Sequence, residues 1–199
     1  MSKTSLSGLS ALVFAILAAS ASLDQAFAQA SVKIGRVTAD TTQSPQFTLT
    51  GKKKTFKSTK NWLEIDAVFQ VSVAKKPKDG YLPDSLDVEI FALINAGREK
   101  KLVKHKGSYS NVAVNESQAV ACYLPPREFS RITGKNRPSR SDVVGYAVLI
   151  SYAGKVVASD IKGMKPEATK AAPEMELLPK SKTPFRDLYY DNYLVDSGS

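Results

Sequence analysis

Cysteine and histidine are almost absent from this chain of 199 residues, which has one of each, Cys122 and His105. A lone cysteine cannot close an internal disulfide, so the fold must rest on hydrophobic burial. Cys122 lies inside the apolar run Ala119-Val120-Ala121-Cys122-Tyr123-Leu124, the setting of a buried, inert thiol. Pairing between chains is the other use of an odd cysteine. The single histidine sits between Lys104 and Lys106, whose positive charges disfavour a protonated ring, and a histidine-based triad would have no other to call on. No G-x-S-x-G elbow, H-E-x-x-H pair, paired cysteines or calcium-loop spacing occurs. Nothing here points to a nucleophilic triad, a metal centre or a cofactor, and the chain reads as non-enzymatic.

Long apolar runs are scarce too. The one present, Leu6 to Ala21, is short for a spanning helix, which needs roughly 20 apolar residues, and Asp24 closes it. Met1-Ser2-Lys3 precedes it and Ala26-Phe27-Ala28 follows. Charge, apolar stretch and small-residue cleavage site in that order make residues 1–28 a secretory signal peptide. The expected product is a secreted or periplasmic protein associated with the cell envelope, with no transmembrane helix after cleavage. Acidic residues are the minority, 19 against 28 Lys and Arg, for a net charge of +9. Outside the cytoplasm such a protein meets little nucleic acid. Its polyanions are lipid head groups, acidic glycans or acidic protein surfaces.

What the sequence does have is period-2 alternation. Leu63, Ile65, Ala67, Phe69, Val71 and Val73 alternate with polar residues, and Leu86, Val88, Ile90, Ala92 and Ile94 repeat the pattern. Alternation of that length predicts half-buried strands, because successive side chains leave opposite faces of a sheet. Residues 143–152 are apolar at nearly every position, as in a central strand covered on both sides. Shorter strands are predicted at 32–37, 47–50, 102–106, 117–124 and 155–160, with Ala153-Gly154 as a tight hairpin. Pro125-Pro126, the i,i+3 pair Phe129 and Ile132, and Gly134 predict one short helix over 126–133. The sum is an all-β, antiparallel immunoglobulin-like β-sandwich over 29–161 with one short inserted helix. Residues 162–182, rich in Pro, Ala and Lys, read as a linker. Residues 183–199 read as an aromatic C-terminal tail.

Two groups of residues are candidates for binding. Arg127, Arg131, Lys135, Arg137 and Arg140 form a basic cluster around the helix and the loop after it. Arginine's planar fork suits phosphate or carboxylate, which makes this the best of three basic clusters for an acidic glycan or lipid. The others are Lys52, Lys53, Lys54, Lys57 and Lys60, and Arg98, Lys100, Lys101, Lys104 and Lys106. All three also read as solvated surface that keeps edge strands apart. The second candidate is the tail, with Phe185, Tyr189, Tyr190 and Tyr193 among Asp187, Asp191 and Asp196. Aromatics of this density either cover a sheet of their own domain or dock on a partner. The carboxylate pairs Glu64 with Asp66 and Asp87 with Glu89 would each share one strand face about 7 Å apart, near glycosidase spacing. Outward charge for solubility explains them more simply.

The stretch Leu178-Pro179-Lys180-Ser181-Lys182-Thr183-Pro184-Phe185, followed by Leu188-Tyr189-Tyr190-Asp191 and Tyr193, resembles the C-terminal signature of a secreted family in Akkermansia and related Verrucomicrobia. Asn61-Trp62-Leu63-Glu64-Ile65 and Tyr123-Leu124-Pro125-Pro126-Arg127 fit the same resemblance. It implies an immunoglobulin-like fold and an association with type IV pilus genes, hence pilus or secretion-system proteins as partners. It names no functional residue.

Overall fold

A computed structural model describes residues 30–45 and 60–198. The predicted signal peptide, the predicted strand at 47–50 and the lysines at 52, 53, 54 and 57 lie outside the described residues. Seven long strands follow in order: β1 (Ala30–Gln43), β2 (Asn61–Val73), β3 (Leu86–Ala96), β4 (Glu99–Tyr109), β5 (Ser117–Leu124), β6 (Val143–Tyr152) and β7 (Lys155–Lys162). Two short ones close the chain, β8 (Met175–Glu176) and β9 (Leu178–Pro179). They make a four-stranded sheet, β1-β2-β5-β9, and a five-stranded sheet, β7-β6-β3-β4-β8. The second strand pairs with the fifth and the third with the sixth, each antiparallel. That is the Greek-key pairing of an immunoglobulin-like sandwich, with β9 in the outer place beside β5.

The alternating residues fill the space between the sheets. Leu63, Ile65, Ala67, Phe69 and Val71 from β2 meet Leu86, Val88, Ile90, Ala92 and Ile94 from β3 in one buried core. Burying such side chains stabilises the fold by about 1.5–3 kcal/mol each before entropy is counted. The β6 strand is covered on both faces, as its composition requires. Val148 and Ile150 enter the main core, while Ala147 and Leu149 join Phe91, Ile161 and Met164 outside the five-stranded sheet. The Tyr146 hydroxyl donates to Val37 O at 3.2 Å and ties β6 to β1.

The short helix α1 (Pro126–Thr133) bridges β5 and β6, with Phe129 and Ile132 inward and Gly134 ending it at φ 68°. Ala153 and Gly154 both take positive φ in the β6–β7 turn. Five strands, β1, β2, β3, β4 and β7, run longer than the sequence pattern predicts. The largest extension is in β1, which continues through the polar Thr38-Ala39-Asp40-Thr41-Thr42. Cys122 is free and buried.

The segment 162–182 is built into both sheets. Glu174 N donates to Leu102 O at 2.7 Å, β8 runs parallel to β4, and Leu177 N donates to Lys104 O at 2.7 Å. The β9 strand then pairs with β5, Cys122 opposite Pro179 and Tyr123 opposite Leu178. Neither β8 nor β9 exceeds two residues, so neither carries an alternation to read.

Candidate functional site: an acid-floored cleft beneath the C-terminal clasp

Three strands present a mixed polar and aromatic face on the outside of the four-stranded sheet. Register places Thr38 opposite Asp66 and Asp40 opposite Glu64 across β1 and β2. Across β2 and β5 it places Glu64 opposite Tyr123 and Asp66 opposite Ala121. Directly opposed residues share a face at about 4.5–5.5 Å, so two rows converge: Asp40, Glu64 and Tyr123, then Thr38, Asp66 and Ala121.

The chain after β9 crosses this face. Thr183 accepts the Phe185 N–H at 3.2 Å and donates to Lys180 O at 2.8 Å, a tight turn that drives the Phe185 ring down onto the sheet. The ring is 4% exposed, with its centroid 4.6 Å from Tyr123 and nearly parallel to it. Trp62 meets it edge-on at 5.5 Å. The chain then returns to β5, where Leu194 N donates to Ala119 O at 2.9 Å, and reaches β4, where Ser197 N donates to Ser108 O at 2.8 Å. Residues 174–197 thus clasp the β4 and β5 edges twice.

Lys180 is the clasp's internal bolt. It is 8% exposed. Its Nζ donates to Arg186 O at 2.9 Å and to Leu188 O, and stands 4.9 Å over the Tyr193 ring. Burial lowers the pKa of this ammonium. Its two hydrogen bonds and the ring contact hold the loop closed.

Between clasp and sheet lies a cavity of about 320 Å³, lined by Asp40, Glu64, Asp66 and Tyr123 below and by Tyr189 and Tyr193 above. Glu64 Oε1 accepts the Tyr123 hydroxyl at 2.7 Å. Asp66 is 7% exposed; its Oδ2 faces Arg36 Nη2 at 3.4 Å, while Oδ1 is buried without a hydrogen-bond partner. Burial raises both carboxyl pKa values above their ordinary range, opposed at Glu64 by Tyr123 and at Asp66 by Tyr193 and Arg36. The same surroundings push the Tyr193 hydroxyl up to about 12, burial first and the two carboxylates next. Glu64 and Asp66 are therefore a covered pair, contrary to the expectation of outward solubilising charge. The alternation of β2 puts both on the outer face, and a distant segment covers that face.

The aromatic candidates divide. Phe185 is buried at home, and Tyr193 packs against the same cluster. Tyr189 is 75% exposed, with Leu188 beside it also exposed. Its backbone holds φ 52°, uncommon for an aromatic residue. Tyr190 opens a single 3-10 turn, Tyr190–Asn192. Lys180, Asp40 and Thr38 escape sequence reading as members of one site.

The basic candidates lie elsewhere. Arg131 pairs with Glu128 at 2.7 Å and with Glu174 at 3.6 Å, and Lys135 is bound to Asp142. Arg127, Arg137 and Arg140 are exposed, with no ion pair among the described residues. In the second cluster Lys101 pairs with Glu99 and Glu174, while Lys104 and Lys106 pair with Glu89. His105 is buried, its Nε2 3.1 Å from the Tyr109 hydroxyl. Burial, rather than the adjacent lysines, is the chief cause of its lowered pKa. No group of three His, Cys, Asp or Glu side chains among the described residues could hold a metal ion. Nor is any described helix long and apolar enough to cross a membrane.

A family model matches residues 24–198, nearly the whole chain and the clasp with it. A crystal structure of a protein from Akkermansia muciniphila superposes with a TM-score of 0.70 at 26% identity, covering 84% of this chain and 93% of that one. The chain belongs to this immunoglobulin-like family, represented in Akkermansia. No curated protein matches it. Family membership spans the clasp as well as the sandwich, so residues 174–198 are part of the matched unit.

Proposed function

We propose that this protein is a non-enzymatic component of the cell envelope that works through protein contacts, as an accessory of a type IV pilus or secretion apparatus. The observation that carries this reading is Tyr189. It is the most exposed large hydrophobic side chain among the described residues, beside Leu188, held outward by a positive-φ backbone. Strained backbone persists where surrounding structure over-determines it, and exposed tyrosines are preferred anchors of protein interfaces. Glu64 and Asp66, the best enzymatic pair the chain offers, are engaged with Tyr123, Arg36 and Tyr193 beneath the clasp. That favours a structural or recognition role for them over glycoside hydrolysis.

The test is capture of the tagged mature protein from cross-linked native envelopes, followed by mass spectrometry. Pilus or secretion proteins should be recovered with the wild type and lost with Tyr189→Ala, at unchanged thermal stability. Their absence from the wild-type capture would overturn the reading.

A second reading has its own observation. Arg127, Arg137 and Arg140 are exposed and unpaired among the described residues, which suits an adhesin-like module for acidic glycan or lipid. Capture of glycan or lipid alone, released by salt, would promote it.

A further inference from the structure

We infer that the cleft beneath the clasp is a binding site for an organic cation, an ammonium or guanidinium group entering between Tyr189 and the β1 strand. The inference goes beyond the protein-contact reading and does not depend on it, because it stands on the floor of the cleft.

The floor carries three carboxylates, Asp40, Glu64 and Asp66, and the walls carry Tyr123, Tyr189 and Tyr193. Carboxylates beneath tyrosine rings are the chemistry that recognises organic cations, by charge-assisted hydrogen bonds and by attraction to the ring faces. The volume of about 320 Å³ admits a butylammonium-sized group and lies within the usual range for small-ligand sites. A bare metal ion suits it poorly, since these carboxylates do not form a metal-holding group.

The second observation is Asp66 itself. It is more than nine-tenths buried and lines the cleft; the Tyr193 hydroxyl interacts with its carboxyl group, yet Oδ1 is left without a hydrogen bond of good geometry. A buried acceptor left in that state costs free energy, which an entering N–H would recover. The cations already present leave the place open. Arg36 reaches only Oδ2, at 3.4 Å, from an exposed position outside the cavity lining. Lys180 is turned to two backbone carbonyls and the Tyr193 ring. Desolvation of Glu64 and Asp66 disfavours their ionised forms, and a bound cation would offset that.

The cation has two possible sources, a lysine or arginine side chain of a polypeptide or a free small amine. Titration calorimetry of the mature protein with acetyl-Gly-Lys-Gly-amide, its norleucine counterpart and n-butylammonium separates them. The lysine peptide is expected to bind and the norleucine peptide to fail. A peptide stronger than butylammonium assigns a protein side chain; equal affinities assign a small amine. Asp66→Asn, nearly the same shape, should weaken the lysine peptide about 10- to 100-fold, the scale of one charge-assisted hydrogen bond. Asp40→Asn, at the exposed edge of the floor, should weaken it less, with a melting temperature close to wild type. No binding by the wild type, equal binding of the norleucine peptide, or full affinity in both variants would overturn the inference. Tyr189→Ala capture is scored separately, so either proposal can fall alone.

Discussion

Phe185 lies flat against Tyr123, ring centroids 4.6 Å apart and planes 10° from parallel, although 62 residues separate them. This contact fixes the aromatic end of the chain to its own sandwich. It also turns a sheet face that would otherwise meet water into the floor of a cleft.

Removing that ring should be costly. Phe185→Ala is expected to lower stability by about 3–5 kcal/mol, as for a buried phenylalanine in a core. Tyr189→Ala, four residues on but exposed, should stay within about 0.5 kcal/mol of wild type. Denaturant unfolding of the two variants side by side checks the contrast.

The clasp loop depends on Lys180 as much as on the rings. Lys180→Met keeps the length of the side chain but leaves Arg186 O and Leu188 O without their donor. The loss should be about 1–3 kcal/mol. Amide exchange should quicken around 180–190 before it does in β2 or β3.

Asp66 sets a pH dependence whose sign follows from burial. Its pKa is raised in the fold above the ordinary 3.8, so folding favours the protonated form. The associated stability is fully present below the unfolded value and is lost as pH rises through the folded value. Wild-type protein near pH 7 therefore carries the cost of a buried charge. Asp66→Asn is expected to raise the melting temperature at pH 7, with the gain vanishing below about pH 3.8. Melting curves of both proteins across that range provide the check.

His105 acts in the opposite direction. Its pKa is lowered by burial, and to a lesser degree by Lys182, against the attraction of Asp196 and Glu176 and a hydrogen bond with the Leu177 backbone, so the neutral ring is favoured in the fold. Its contribution is present above the unfolded value near 6.5 and is lost as pH falls through the folded value. His105→Gln should remove part of the stability loss seen on acidification from neutral pH. Thermal melts from pH 7.5 down to 5 would reveal it.

Legibility in the sequence followed the range of the interactions. The β2, β3 and β6 strands announce themselves because alternation or continuous apolarity is local, and α1 because Pro126 and Gly134 bracket it. The β8 and β9 strands were hidden because two residues carry no period; they exist by pairing with β4 and β5 some 55–75 positions earlier. Alternation puts Glu64 and Asp66 on the outer face, yet nothing local to β2 says what covers it. Lys180 reads as a solvated lysine beside Ser181 and Lys182. Only the distinctive C-terminal motif hinted that this stretch has a fixed structure. The basic cluster was legible as composition, but the pairing of Arg131 and Lys135 with Glu128, Glu174 and Asp142 was not.

The clasp closing on its own chain, with Tyr189 left outward, is best measured by amide hydrogen exchange of dilute protein beginning at residue 29. The Leu177, Leu194 and Ser197 N–H groups, bonded to Lys104, Ala119 and Ser108, should exchange slowly at rates independent of protein concentration. Rapid exchange at these three amides, or protection that appears only as concentration rises, would contradict a clasp formed within one chain.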